Sequence, residues 1–90
     1  MNLEEHCKTS LDKFGKEFIE VHRWLDEFAS EGIIHRKYRH HQEALEDCEE
    51  RFGEVGASAA RLHIMHEFSG YIPKREDYYR GGKFEEINNQ

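Results

Sequence analysis

Seven of the ninety residues are histidine and only two are cysteine. Near neutral pH an imidazole takes or gives a proton and, as the neutral ring, ligates a transition metal. The seven stand at positions 6, 22, 35, 40, 41, 63 and 66. His22 lies four residues before Asp26, and His63 lies three before His66 and four before Glu67. On a helix those spacings bring two donors to one side, as a metal site requires. His40 or His41 adds a third direction, so the metal reading takes His22, Asp26, His41 and His63 as ligands. Zinc, manganese or iron is the expected ion, and Glu67 the candidate general base. No HExxH, no ExxH pair of the carboxylate-bridged di-iron kind and no His-Asp doublet is present.

A second chemistry is written in HRKYRHH, residues 35–41. Residues 32–42 carry a net charge of +3 within a chain of net charge −6. Arginine offers a planar fork for phosphate oxygens, and histidine adds further donors. The anion reading therefore gathers His35, Arg36, Arg39, His40, His41 and His63 around a small phosphorylated, nucleotide-like ligand. Trp24, Tyr38, Tyr71, Tyr78 and Tyr79 are available to stack a base. Arg39 can pair with Glu43 along a helix, whereas Arg36 has Gly32 and His40 at its own fourth neighbours. The acidic total argues against long nucleic acids as partners, but not against a small anion in a recessed basic pocket.

These side chains need elements to position them, and the apolar spacing is helical throughout. Leu3, Cys7, Leu11, Phe14, Phe18, Val21, Leu25 and Phe28 form one stripe, interrupted at Gly15, where the segment either breaks or kinks. Asn2 is the expected N-cap, with Glu4 and Glu5 complementing the dipole. Ser30 to Gly32 reads as a turn. Ile34, Tyr38, His41, Leu45, Cys48 and Phe52 predict a second long helix from about Ile33 to Phe52, ending at Gly53. A loop to Gly56 then leads into a helix over 57–69, rich in small residues, with Gly70 after it. Ile72-Pro73 forces an extended turn. His6, His22, His41 and His63 fall at or near the buried seams of the successive segments, while His40 lies toward a seam's edge. Cys7 and Cys48 have no CxxC partner and read as small buried hydrophobes.

The order VHRWLDEF, HRKYRHHQEAL, RFG and LHIMHEFSGYIPKREDYY resembles a family of small proteins encoded by bacteriophages, plasmids and some bacteria. Its pattern is an early His, IHxWxD, HRxxxHH, FG and HhxxDxxGxIPxxxDW. It falls here on His6, His22, Trp24, Asp26, His35, Arg36, His40, His41, Gly53, His63, Gly70, Pro73 and Asp77. Val21 replaces the isoleucine, Tyr78 the terminal tryptophan and Glu67 the aspartate, and the segment around Gly15 is shorter. The resemblance supplies no activity. It implies a phage or mobile-element setting, where small proteins often counter host defence, and sequestering or degrading a signalling nucleotide is one way to do so.

Taken together, the expectation is a compact all-α bundle of three to four helices with an ordered C-terminal proline turn. Residues 1–80 form one domain, and 81–90 a polar, flexible tail. With 36% charged residues and a mean hydropathy of −0.96, so small a core favours a homo-oligomer. No apolar run is long enough for a membrane span, and the acidic start is unlike a secretory signal. The expected location is the cytoplasm of a bacterial host. Binding a small phosphorylated ligand ranks first. A metal-dependent phosphoester hydrolase on the same His/Asp cluster ranks second. Two further readings remain: metal-free acid–base chemistry at His40 or His41 with Arg36 stabilising charge, and a structural domain whose histidines are merely packed.

Overall fold

The computed structural model describes residues 2–79 and 82–84. Helix α1 (Leu3–Phe14) opens with a capping box. The Asn2 side chain accepts from the Glu5 amide while the Glu5 carboxylate reaches back to the Asn2 N–H. Gly15 ends the helix in the left-handed conformation, at φ 79°. The interruption is therefore a true break, and α2 (Ile19–Leu25) is a separate helix. Phe18 precedes it at φ 52°, a costly value for a phenylalanine. Burial of the Phe18 ring in the core holds it there.

The helix expected from Ile33 to Phe52 is not continuous. Single turns of 3-10 helix at Ala29–Glu31 and Ile33–His35 lead into the short α3 (Arg36–Arg39). The chain then extends at His41 (φ −154°, ψ 165°) before α4 (Gln42–Glu67) begins. The break occurs because the C-terminal segment competes for the same backbone groups. The Gln42 N–H donates to the Pro73 carbonyl at 2.8 Å, and the Tyr78 hydroxyl donates to the His40 carbonyl at 2.6 Å.

Within α4, Gly53 departs from helical geometry at φ 83°, ψ 176°. A straight helix of 26 residues would hold its ends about 38 Å apart. Instead His40, just before α4, meets His63 near its far end at 3.3 Å. Two antiparallel arms, 42–52 and 54–67, are thus folded back at Gly53. The expected stop at Gly53 is present, but the next helix starts at once rather than after Gly56. At Gly56 a Cβ would stand 2.7 Å from the Phe52 Cβ, so only glycine lets the arms approach here.

The apolar core joins Phe18, Val21 and Leu25 to Leu45, Cys48, Ala59, Ala60 and Ile64. No strand occurs among the described residues, and none of the helices is long and apolar enough to cross a membrane. The proline turn is ordered: Pro73 is buried, and a 3-10 turn (Arg75–Tyr78) seats Tyr78 at 5% exposure. The tail expected over 81–90 lies outside the described residues except for 82–84. Phe84 there stacks on Phe68, with ring centroids 5.3 Å apart.

One face differs from its sequence reading. Leu3 and Leu11, placed on the stripe of α1, are 37% and 46% exposed. The side chains that α1 turns inward are His6, Cys7 and Ser10. Polar contacts inside the bundle decide the rotation of this helix, against the greater hydrophobicity of its leucines.

Candidate functional site

Beside the apolar core lies a second interior made of imidazole. His6, His22, His40, His41 and His63 are each at most 1% exposed, as is Ser10. They come from four stretches of chain. His6 and Ser10 are four apart on α1, His22 is on α2, His40 is in the break before α4, and His63 is on the second arm of α4. Asp26 closes the set as the residue that caps the C-terminus of α2.

His63 is the hub. Its Nδ1 lies 2.9 Å from His22 Nδ1. Its Nε2 lies 3.3 Å from His40 Nε2 and 3.5 Å from Asp26 Oδ1. The same Asp26 oxygen is 3.3 Å from His40 Nε2 and 3.3 Å from His35 Nε2. Three imidazole nitrogens from three elements therefore converge on one carboxylate oxygen. His6 lies flat on His63, with ring centroids 3.6 Å apart. Its Nε2 donates to Glu67 at 2.9 Å, and Glu67 also takes Arg36 at 2.6 Å. The Ser10 hydroxyl is 2.7 Å from His22 Nε2. Two triads offer ligating atoms all within 4.8 Å of one another: His6, His22 and His63, and Asp26, His40 and His63.

The electrostatics match this interior. Burial lowers the pKa of His6, His40 and His63, and that of His22 falls to about 4. Burial dominates in every case, and neighbouring imidazoles add to it for His6 and His22. The rings are therefore neutral at pH 7, the state in which imidazole ligates a metal. Burial would raise the Asp26 carboxyl, but the hydrogen bonds to His40 and His63 outweigh it and hold the group well below the usual carboxylate range. Glu67 is lowered similarly: burial opposes, and His6 and Arg36 prevail.

His22, Asp26 and His63 of the expected metal set are brought together, and His41 is not among them. The His41 ring faces backbone: Nδ1 accepts the Ala44 amide at 3.1 Å, and Nε2 donates to the Tyr38 carbonyl at 3.1 Å. His40, expected as an anion ligand, takes the place that His41 was given. The break at residues 40–41 makes this exchange, since the two side chains no longer follow one helical face.

The anion set is divided. Arg36 is engaged by Glu67, and Arg39 donates to the Trp24 carbonyl at 2.7 Å with its guanidinium 4.6 Å from the Trp24 ring centre. Arg39 and His41 do meet, with Arg51, Arg75, Trp24 and Tyr38, around a cleft of about 470 Å³. Neither His35, Arg36, His40 nor His63 lines that cleft. His66 is exposed and Tyr78 buried, so neither serves its sequence reading of donor pair or stacking platform. Sequence reasoning placed His6 near a seam but gave it no role, and it passed over Ser10. Their i, i+4 spacing was the available signal, masked by the competing leucine stripe.

Cys7 and Cys48 are buried free thiols, as expected, and burial pushes Cys48 up to about 11. No curated protein and no solved structure matches the chain. The resemblance to a small-protein family does have a counterpart, for a family model covers nearly the whole sequence. The chain belongs to the family described as Domain of unknown function (DUF6915), whose model matches residues 1–87.

Proposed function

We propose that the protein binds a divalent transition-metal ion between Asp26, His40 and His63 and uses it for hydrolysis of a small phosphoester. One observation carries this reading. Donor atoms on a tetrahedral ion with bonds of 2.0–2.1 Å are separated by about 3.3 Å. The three donor atoms here stand 3.3, 3.3 and 3.5 Å apart. The two that involve the carboxylate, 3.3 and 3.5 Å, are long for charge-assisted hydrogen bonds.

His35 supports the same reading. Its Nδ1 donates to the Gly32 carbonyl at 2.7 Å, which turns Nε2 toward the same Asp26 oxygen at 3.3 Å, a further nitrogen beside the three donors. The Asp26 side chain is 32% exposed, which gives the ion a side open to water and substrate. An ion held there would supply an activated water and polarise a phosphoryl oxygen.

Elemental analysis of untagged protein tests the reading. Zinc, manganese or iron near or above one ion per chain is expected, with turnover of a chromogenic phosphodiester that a chelator abolishes. Trace metal that cannot be restored by dialysis against the ions overturns it. Bound metal without turnover removes the hydrolase half alone.

The 470 Å³ cleft favours a second reading, as the seat of a small phosphorylated ligand held by Arg51 and Arg75, with Arg39 beside them and Asp47 and Glu50 on the same wall. Thermal shift against a nucleotide panel checks it, and Arg75→Ala abolishes any shift that arises there. Native mass spectrometry adds the subunit number; the exposed Leu3 and Leu11 support a homo-oligomer.

A further inference from the structure

We infer that His22 is a positioning residue for the proposed ion and not one of its ligands. Backed by Ser10, it holds the proton of His63 on Nδ1 and so turns the Nε2 lone pair toward the metal. This rests on the metal reading above and deepens it. The two Nδ1 atoms are 2.9 Å apart, with the ring centres 5.1 Å apart and the planes 22° from parallel. A nitrogen–nitrogen distance shorter than the spacing of stacked rings means that these two meet edge to edge, each nitrogen aimed at the other. Two lone pairs or two N–H groups so placed would repel, so one proton lies between them.

The ring that carries this proton sets the state of both remote nitrogens. If it is His63, then Nε2 is a lone pair facing His40 and Asp26, as a ligand must be. His22 Nε2 is then an N–H, and the Ser10 hydroxyl oxygen accepts it at 2.7 Å. If it is His22, then His63 Nε2 bears hydrogen and cannot ligate. A bound ion therefore requires one order of donation, from His63 to His22 and from His22 to Ser10. All three residues are 1% exposed, so water does not compete for these bonds.

Metal-bound histidines ordinarily donate their remote N–H to a fixed acceptor. His40 Nδ1 has no hydrogen-bond partner among the described residues, so of the two histidine ligands only His63 is held in this way. His6 covers the contact without joining it. Its ring lies flat on His63, with centroids 3.6 Å apart and planes 13° from parallel, and keeps that ring from tilting out of line with His22.

Two measurements test the inference: zinc affinity, by competition with a chromophoric chelator, and long-range hydrogen–nitrogen NMR of the zinc-bound wild type. One ion per chain is expected. His22→Leu should bind it about 10–100-fold more weakly, and His22→Gln, whose side-chain oxygen can accept from His63, should regain most of that loss. In the wild-type spectrum His63 should ligate through Nε2 and keep its proton on Nδ1, with a coupling to the His22 nitrogen across the hydrogen bond. Unchanged affinity in a folded His22→Leu overturns the inference and leaves the metal reading standing. Equal losses in the two variants overturn it too, since packing alone would then explain both. A zinc-bound His22 nitrogen makes His22 a ligand and has the same result. A wild type that takes no zinc overturns both readings. The wild-type spectrum decides the point even where a variant does not fold.

Discussion

At the start of α4 the His41 ring accepts one backbone amide and donates to one carbonyl, so both its nitrogens serve the chain. His40, its neighbour, turns into the imidazole cluster. The two adjacent histidines are separable by mutation. His41→Ala removes a helix cap, which costs about 1 kcal/mol, or more with the buried ring lost as well. Urea denaturation should show that loss, partly restored in His41→Asn, while zinc stoichiometry stays at the wild-type value. A drop in bound metal in His41→Asn would return His41 to the ligand set. Glu67 acts through His6, which it orients. Glu67→Gln leaves the buried His6 ring and Arg36 without their shared carboxylate and should cost about 1–3 kcal/mol in urea denaturation. An unchanged midpoint would mean that this contact does not hold the interior together.

Among the elements, the reversal at Gly53 matters most, because it returns His63 to the region of His40. Its φ of 83° and ψ of 176° belong to a region open almost only to glycine. A Cβ added there meets nothing within 4 Å, so Gly53→Ala tests strain without collision. A loss of about 1–3 kcal/mol is expected, visible as a lower Tm of roughly 4–8 °C per kcal/mol. A Tm within a degree of wild type would show that the arms do not reverse in this conformation. The break at residues 40–41 depends on the C-terminal segment. The Tyr78 hydroxyl on the His40 carbonyl and the Pro73 carbonyl on the Gln42 amide tie the proline turn to the break. That strap explains how a short motif after the last helix can orient His40, more than thirty residues earlier.

For the whole molecule, so many neutral imidazoles inside a small core make stability depend on pH. His6, His22, His40, His41 and His63 all have lowered folded-state pKa values, with burial the leading cause and His22 at about 4. In the unfolded chain they titrate near the ordinary value of about 6.5. The unfolded state therefore binds more protons as pH falls through this window, and acid draws the equilibrium toward it. The stabilisation is complete above pH 6.5 and lost progressively toward pH 4. Asp26 and Glu67, whose carboxyls are lowered, withdraw theirs below about pH 4, in the same direction. The metal-free protein should hold a level Tm above about pH 7 and lose it steeply between 6.5 and 4. A flat Tm across that range would contradict buried neutral rings. Zinc at one hundred times its dissociation constant should add about 2.7 kcal/mol at neutral pH, and progressively less as protons compete for the rings.

Local patterning was enough to identify several features. Helical spacing, the Asn2 cap, the interruption at Gly15, the stop at Gly53 and the proline turn are set by neighbours within a few residues, and each is legible in the order of residue types, although whether Gly15 breaks or kinks the chain is not. The same holds for the burial of His22, His41 and His63 and of both cysteines. Three features were decided only by tertiary structure. Which way α1 faces depends on polar contacts across the bundle, and these bury His6 and Ser10 in preference to Leu3 and Leu11. Which of two adjacent histidines enters the cluster depends on a strap from residues 73–78 that competes for backbone hydrogen bonds. Whether Arg36 and Arg39 are free for a ligand depends on Glu67 and the Trp24 carbonyl, remote in sequence and adjacent in space. Spacing along a helix fixes which side chains share a face. It does not fix what that face meets, because the partners come from other segments, and here those partners divide the expected histidine–arginine set and draw His40 and His63 into a histidine–carboxylate interior.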